Sequence, residues 1–216
     1  MKDKIIKIIK NNISWIIGLV CIILFAVILE NVLDNDIANF DSYIFNSIKN
    51  IRTEVLTRIL NTITQFGDAV ILITISLLSL IILKNKKIGI MVSLNLATIA
   101  GLNKILKHII QRPRPIGDRL IEEGGYSFPS GHSMASMSFY GLIIYLIFKK
   151  VKNKKLKNIL IILLSVLIST IGICRIYLGV HYASDVIAGF LFSIAYLILF
   201  TSFVKKSERL PKKLIK

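Results

Sequence analysis

Cysteine and charge are both scarce in this chain. Its two cysteines, Cys21 and Cys174, stand in or beside apolar runs, so neither a disulfide framework nor a cysteine metal cluster can be built. Only 19% of the 216 residues are charged, against 54% hydrophobic. With a mean hydropathy of +0.70, that balance excludes an ordinary soluble domain. No repeat of fixed period and no low-complexity linker divides the chain, so one domain over residues 1–216 is expected. Acids are few as well: 12, against 28 Lys and Arg, for a net charge of +16. In a soluble protein such an excess would point to nucleic acid. Here the lysines flank apolar runs, and no nucleic-acid partner is expected.

What the chain does have is long apolar stretches. Six stand out: Ile13–Leu33, Ala69–Leu83, Ile88–Ile105, Met134–Phe148, Ile159–Ile176 and Val186–Val204. Two of them fall short of the ~20 residues a helical span needs, and their helices are expected to extend into the polar flanks. The first follows Met1-Lys2-Asp3-Lys4 and lacks a small-x-small cleavage site before Asp34, so it reads as a retained signal anchor. The fold expected is all-α, a polytopic membrane protein with six transmembrane helices.

Orientation follows from the basic residues. With the N-terminus inside, segments 1–12, 84–87, 149–157 and 205–216 are cytoplasmic and hold 19 of the 28 Lys and Arg but only Asp3 and Glu208 among the acids. Both termini are therefore expected in the cytoplasm, in a plasma-membrane protein. Residues 34–66 then form an external segment. Its Ile37, Phe40, Ile44, Ile48 and Ile51, and then Val55, Leu56, Ile59, Leu60, Ile63 and Phe66, recur at helical spacing, predicting amphipathic helices at the outer interface with a packing or lid role.

This topology brings three distant clusters to one face. Lys107 and Arg114 follow the third span, Ser130, Gly131 and His132 precede the fourth, Arg175 ends the fifth, and His181 and Asp185 open the sixth. Basic residues kept on the face that normally loses them suggest an anionic ligand. Arg114 stands between Pro113 and Pro115, so its backbone is held extended and can aim a guanidinium whose planar fork suits phosphate oxygens. Arg112 stays open between that role and a lipid-headgroup contact, and is not placed in the core set. Pro129-Ser130-Gly131-His132 reads as a turn opening a helix, where backbone N–H groups and a hydroxyl make an anion cradle. His181 and Asp185 are spaced i, i+4. On a helix they share a face, where the carboxylate can hold Nδ1–H and leave Nε2 free as a nucleophile; a structural His–Asp pair at a span entrance is the alternative. His108, the remaining histidine, reads as interface packing.

Lys107-(six residues)-Arg114-Pro115, then Pro129-Ser130-Gly131-His132, then Arg175-(five residues)-His181-(three residues)-Asp185 resembles the type 2 phosphatidic acid phosphatase family, within the acid phosphatase and vanadium haloperoxidase superfamily. One position departs: the third motif usually begins Ser-Arg, and here it reads Cys174-Arg175, which puts one hydrogen bond in doubt. The resemblance implies a membrane lipid phosphatase needing no cofactor and no metal. In it His181 attacks phosphorus to form a phosphohistidine, Asp185 orients His181, and His132 protonates the leaving oxygen and then activates water. Lys107, Arg114, Arg175, Ser130 and the Gly131 amide hold the phosphate. Expected substrates are phosphatidylglycerophosphate, phosphatidic acid or undecaprenyl diphosphate, met at the outer face of the bilayer. A lipid phosphotransferase and a non-enzymatic anion or lipid transporter are the alternatives, and oligomeric state is not readable.

Overall fold

The computed structural model describes the backbone of residues 2–209 and the side chains of residues 12–205, and among these every regular element is helical. The expected cytoplasmic tails, 1–12 and 205–216, lie mostly outside the described side chains. Eight α-helices follow one another: α1 Lys2–Leu33, α2 Ala38–Lys49, α3 Glu54–Thr64, α4 Ala69–Ile82, α5 Lys86–Ile110, α6 Gly131–Lys150, α7 Lys154–Tyr177 and α8 Ala183–Arg209. Short polar side chains start most of them by accepting orphan backbone N–H groups: Thr53 for α3, Asp68 for α4, Asn85 for α5, Ser130 for α6 and Asn153 for α7. At the other end of α5, Gln111 adopts the left-handed conformation (φ 51°), and Pro113 and Pro115 keep the chain from re-entering a helix.

Five helices are long and apolar enough to cross a bilayer: Asn12–Leu33, Lys86–Ile110, Gly131–Lys150, Lys154–Tyr177 and Ala183–Lys205. The second expected span behaves differently. α4 does not extend into its flanks, and its 14 residues cover roughly 21 Å, short of a ~30 Å hydrocarbon core. It becomes a sixth candidate span only together with Glu54–Gly67, from which it is bent by 45° at the Asp68 cap. The segment 34–66 thus divides into two helices, α2 and α3, and α3 with the 3₁₀ turn Gln65–Gly67 leads directly into α4 as the first arm of that bent pair.

The core sits between α4, α5, α6 and α7, where Leu72, Ile99, Met134, Phe139, Leu142 and Ile171 are buried. Lipid tails are as apolar as these side chains, so close approach and polar contacts fix the packing. Asn95 and Ser138 exchange two hydrogen bonds between α5 and α6 (3.1 and 3.0 Å), Ser76 meets Ser93 between α4 and α5 at 2.9 Å, and Ser193 on α8 donates to the Met134 carbonyl on α6 at 3.1 Å. Gly189 lets α8 reach the start of α6, because a Cβ there would stand 3.1 Å from the Ser130 carbonyl oxygen. α1 runs along α8, with Phe25 against Phe192 and Phe128. The consequence for function is that the end of α5, the loop 111–130, the start of α6, the end of α7 and the start of α8 all meet at one end of the bundle.

Candidate active site

Lys107, on the last turn of α5, is the first motif residue at that end. Its Nζ donates to the Tyr126 carbonyl and, at 3.3 Å, to that of Ser127, folding the loop back over the helix end. Arg114 is 7% exposed, and its guanidinium is locked by carbonyls: Nε to Gly124 and Gly125 at 3.1 Å, Nη2 to Gly124 at 2.9 Å, and Nη1 to Val180 at 2.8 Å. Nη1 also lies 3.0 Å from His181 Nε2. A guanidinium has no lone pair to offer, so it donates and Nε2 accepts. That fixes the tautomer: the His181 proton is on Nδ1, and the Nε2 lone pair points at the cations.

Nδ1 faces Ser127 Oγ at 3.3 Å and Asp185 Oδ2 at 3.4 Å. Ser127 gives its own proton to Asp185 in a short hydrogen bond, so its oxygen is left to share the Nδ1 proton with the carboxylate. Asp185 Oδ2 also takes the Tyr182 backbone N–H at 2.9 Å, and Oδ1 takes Arg112 Nη1 at 2.6 Å. Burial pulls the His181 ring down to about 3, outweighing the opposing pull of Asp185, so the imidazole is neutral at physiological pH.

Arg175 is 1% exposed at the end of α7. It pairs closely with Glu123, whose other oxygen lies 3.7 Å from Arg114. Burial alone would push the Glu123 carboxyl up, but Arg175 and then Arg114 outweigh it and hold it below the usual range. Arg175 Nε is buried without an acceptor among the described residues. His132, one residue into α6, is half-buried beside Gly67, where an added Cβ would stand 3.2 Å from the ring.

These groups surround a cavity of about 380 Å³. Lys107, Arg114, Glu123, Gly131, His132 and His181 form its polar end, and Leu72, Ile73, Leu96 and Ile99 of α4 and α5 its apolar end. Seven of the eight residues singled out in the sequence thus share one end of the bundle with side chains or backbone toward the cavity or in direct contact with its wall. Ser130 does not line the cavity: it is fully buried, and its hydroxyl accepts from Ser133 N–H (3.4 Å) and Ser133 Oγ (3.0 Å), capping α6. Arg112, left open between a phosphate contact and a headgroup contact, is taken up by carboxylates. Its side chain is 11% exposed and bonds Asp185 and Asp41, so it is no headgroup contact. Cys174 is fully buried, and His108 lies apart, edge-on to Tyr126.

Sequence reasoning missed Glu123, Ser127 and Asp41. Glu123 and Ser127 lie in a polar loop with no periodicity to flag them. Asp41 carried a signal that could have been read: it is an acid on the apolar-spaced face of an amphipathic helix, three residues before Ile44.

A family model of the PAP2 superfamily matches residues 88–209. Phosphatidylglycerophosphatase B of Bacillus subtilis is 31% identical over 196 residues, covering 88% of this chain and 95% of that protein. Undecaprenyl-diphosphatase of Sulfolobus acidocaldarius is 28% identical over 209 residues, covering 92% and 97%. The crystal structure of a transmembrane PAP2-type phosphatidylglycerolphosphate phosphatase from Bacillus subtilis superposes with a TM-score of 0.81 at 29% identity, over 90% of this chain and 98% of that one. The matched region runs from α5 into α8 and contains every motif residue; with these helices and this likeness, the chain belongs to the PAP2 superfamily as a multi-pass membrane protein.

Proposed function

We propose that this PAP2 protein hydrolyses the terminal phosphoryl group of a lipid phosphate or diphosphate through a phosphohistidine on His181. The coarser reading, a membrane lipid phosphatase, rests on family membership and on relatives named for lipid phosphate hydrolysis. The finer reading rests on one observation: Arg114 donates to His181 Nε2, so the ring's lone pair already faces the cation cluster where a phosphate would sit.

In the first half-reaction the Nε2 lone pair attacks phosphorus and the bond to the lipid oxygen breaks. His132 gives that oxygen a proton, and the Nδ1 proton of His181 is held by Asp185 and Ser127 as the ring becomes cationic. In the second, His132 takes a proton from water, the water oxygen attacks phosphorus, and the P–N bond breaks. Lys107, Arg114, Arg175 and the Gly131 amide hold the three non-bridging oxygens, with the charge compensation that metal ions supply in other phosphoryl-transfer enzymes. Arrival of phosphate displaces two internal partners: Arg114 leaves Nε2 for a phosphate oxygen, and Glu123 yields Arg175. The cavity, about 380 Å³, has room for a phosphate head and the first carbons of a lipid, and the half-exposed Ile73 at its apolar end supports a tail path toward the bilayer. The positive-inside charge bias supports an outer-face site, with both termini in the cytoplasm.

The test is a phosphate-release panel in detergent: phosphatidylglycerophosphate, phosphatidic acid and undecaprenyl diphosphate, each with acid quenching during turnover. Release of inorganic phosphate with acid-labile phosphate on the protein supports the reading. Transfer of the phosphoryl group to an added alcohol with little free phosphate would make it a phosphotransferase. Binding without phosphate release would make it a transporter. Vanadate is expected to inhibit competitively, as a transition-state mimic, and EDTA to leave the rate unchanged. Loss of activity in EDTA, restored by magnesium, would reveal a metal requirement.

A further inference from the structure

Asp41 belongs to none of the three motifs and sits on α2, outside the matched family region, yet it is 2% exposed. Its Oδ1 accepts the Ser184 backbone N–H at 2.8 Å; its Oδ2 accepts Ser184 Oγ at 2.7 Å and Arg112 Nη2 at 2.8 Å. Arg112 Nη1 donates in turn to Ser184 Oγ at 2.8 Å and to Asp185 Oδ1 at 2.6 Å, and its plane lies 4.0 Å over the Tyr182 ring. A continuous chain of hydrogen bonds therefore runs from α2 to the carboxylate behind His181.

Docking α2 does not need this chain. Ile44 and Ile48 already pack against Ile176, Ala183 and Val186, and a buried ion pair is a poor way to gain stability, because desolvation offsets most of the attraction. What a second carboxylate changes is the charge. Arg112 with Asp185 alone would be neutral and would cancel the carboxylate behind the histidine. With Asp41 the group carries one net negative charge, which favours a cationic imidazole next to it. Arg112 is also held from both sides, which fixes Asp185.

We propose that Asp41 is a positioning residue of the phosphoryl-transfer site, clamping Arg112 against Asp185 and leaving the buried Asp41–Arg112–Asp185 group negative as His181 becomes phosphorylated. This rests on the phosphohistidine reading above. The near-isosteric Asp41→Asn variant places an amide N–H₂ or a neutral oxygen against Arg112 and removes the charge. It is expected to lower kcat by about tenfold or more, a typical cost for sub-ångström misplacement of reacting groups. KM and vanadate inhibition should stay within about twofold, because Lys107, Arg114 and Arg175 are untouched.

A second readout does not depend on turnover. The chain has three histidines, so a ¹⁵N-histidine spectrum of the detergent-solubilised protein can be assigned with His108→Gln and His132→Gln variants. Asp41→Asn should move the His181 ring resonances and leave those of His132 in place, whatever the wild-type rate on any lipid. Ile44→Ala, which loosens α2 without touching charge, is the control for mere docking. Should Asp41→Asn fail to fold, Ser184→Ala keeps both carboxylates and breaks the ring of hydrogen bonds around Arg112; it should lower kcat about threefold with KM unchanged and shift His181 in the same direction. Unchanged His181 resonances in the folded variant overturn the proposal, as does a kcat loss that Ile44→Ala reproduces at equal loss of Tm. Absence of phosphate release by the wild type would sink the phosphatase reading instead, and the spectrum would still decide whether Asp41 is coupled to His181.

Discussion

Arg112 and Arg114 stand two residues apart on one proline-stiffened loop and serve opposite sides of the His181–Asp185 pair. Arg112 is spent: two carboxylates hold it, and their attraction outweighs the pull of burial and keeps its pKa above the ordinary value. Arg114 is available. Backbone carbonyls and a neutral imidazole fix its position, its one carboxylate is 3.7 Å away, and burial brings its pKa down. The same contrast separates two regions, an anchor behind His181, the proposed nucleophile (Asp41, Arg112, Ser184, Asp185), and a cradle in front of it (Lys107, Arg114, Arg175, Glu123). A cation orients a catalytic group when its charge is already compensated, and binds an anion when its donors are held in place with charge to spare.

The largest expected effect lies on the boundary between the two. His181→Ala should lower turnover by roughly 10⁴-fold or more and abolish acid-labile phosphate on the protein. Retained activity in a folded His181→Ala protein would remove both regions' reason to exist. Next comes the cradle. Arg114→Ala and Arg175→Ala should each cost about 10²–10³ in kcat/KM and weaken vanadate inhibition in parallel.

The anchor should fail in a different currency of measurement. Arg112→Ala leaves Asp41 and Asp185 buried without their cation, and about 3–5 kcal/mol of stability is expected to go, seen as a fall in Tm or denaturation midpoint. If instead Arg112→Ala lost vanadate affinity with Tm intact, the division between anchor and cradle would be wrong.

A smaller effect concerns pH. His181 is neutral in the fold down to about 3, whereas in the unfolded chain it takes a proton below about 6.5. The unfolded state thus binds more protons in that window, and this residue's contribution to stability is complete above pH 6.5 and declines as pH falls from there toward 3. His181→Gln should flatten the slope of Tm against pH between those limits. An unaltered slope would mean that the imidazole is already solvated in the folded protein.

The smallest effect tests the cradle's own anion. Glu123→Gln removes the carboxylate that occupies Arg175 at rest, so inhibition by inorganic phosphate or vanadate should tighten a few-fold while kcat changes little. Weaker inhibition would show that Glu123 aligns the arginines and does not compete for them.

The sequence by itself determined the class of fold and which polar side chains gather at one end of the molecule. Bilayer thickness imposes a fixed length of apolar residues, and unpaired backbone in lipid forces helices, so the long apolar runs were legible as spans. Lys107, Arg114, His132, Arg175, His181 and Asp185 were legible because reactive side chains are conspicuous where such spans end. Length also misled: Ala69–Leu83 reads as a span, but the Asp68 cap keeps α4 from growing past Ala69 into the polar flank, and it is long enough to be a candidate span only with the bent α3 segment. What only the tertiary structure decided is which cation faces which anion. The motif spacing singles out Arg114 but says nothing of what Arg112 bonds, and Asp41 lies 144 positions before Asp185. Hydrogen-bond partners are set at about 3 Å by how helices cross, and no local pattern in the chain encodes a contact between elements so far apart. The Glu123 carboxylate and the Asp41–Arg112 clamp were therefore decided by packing alone.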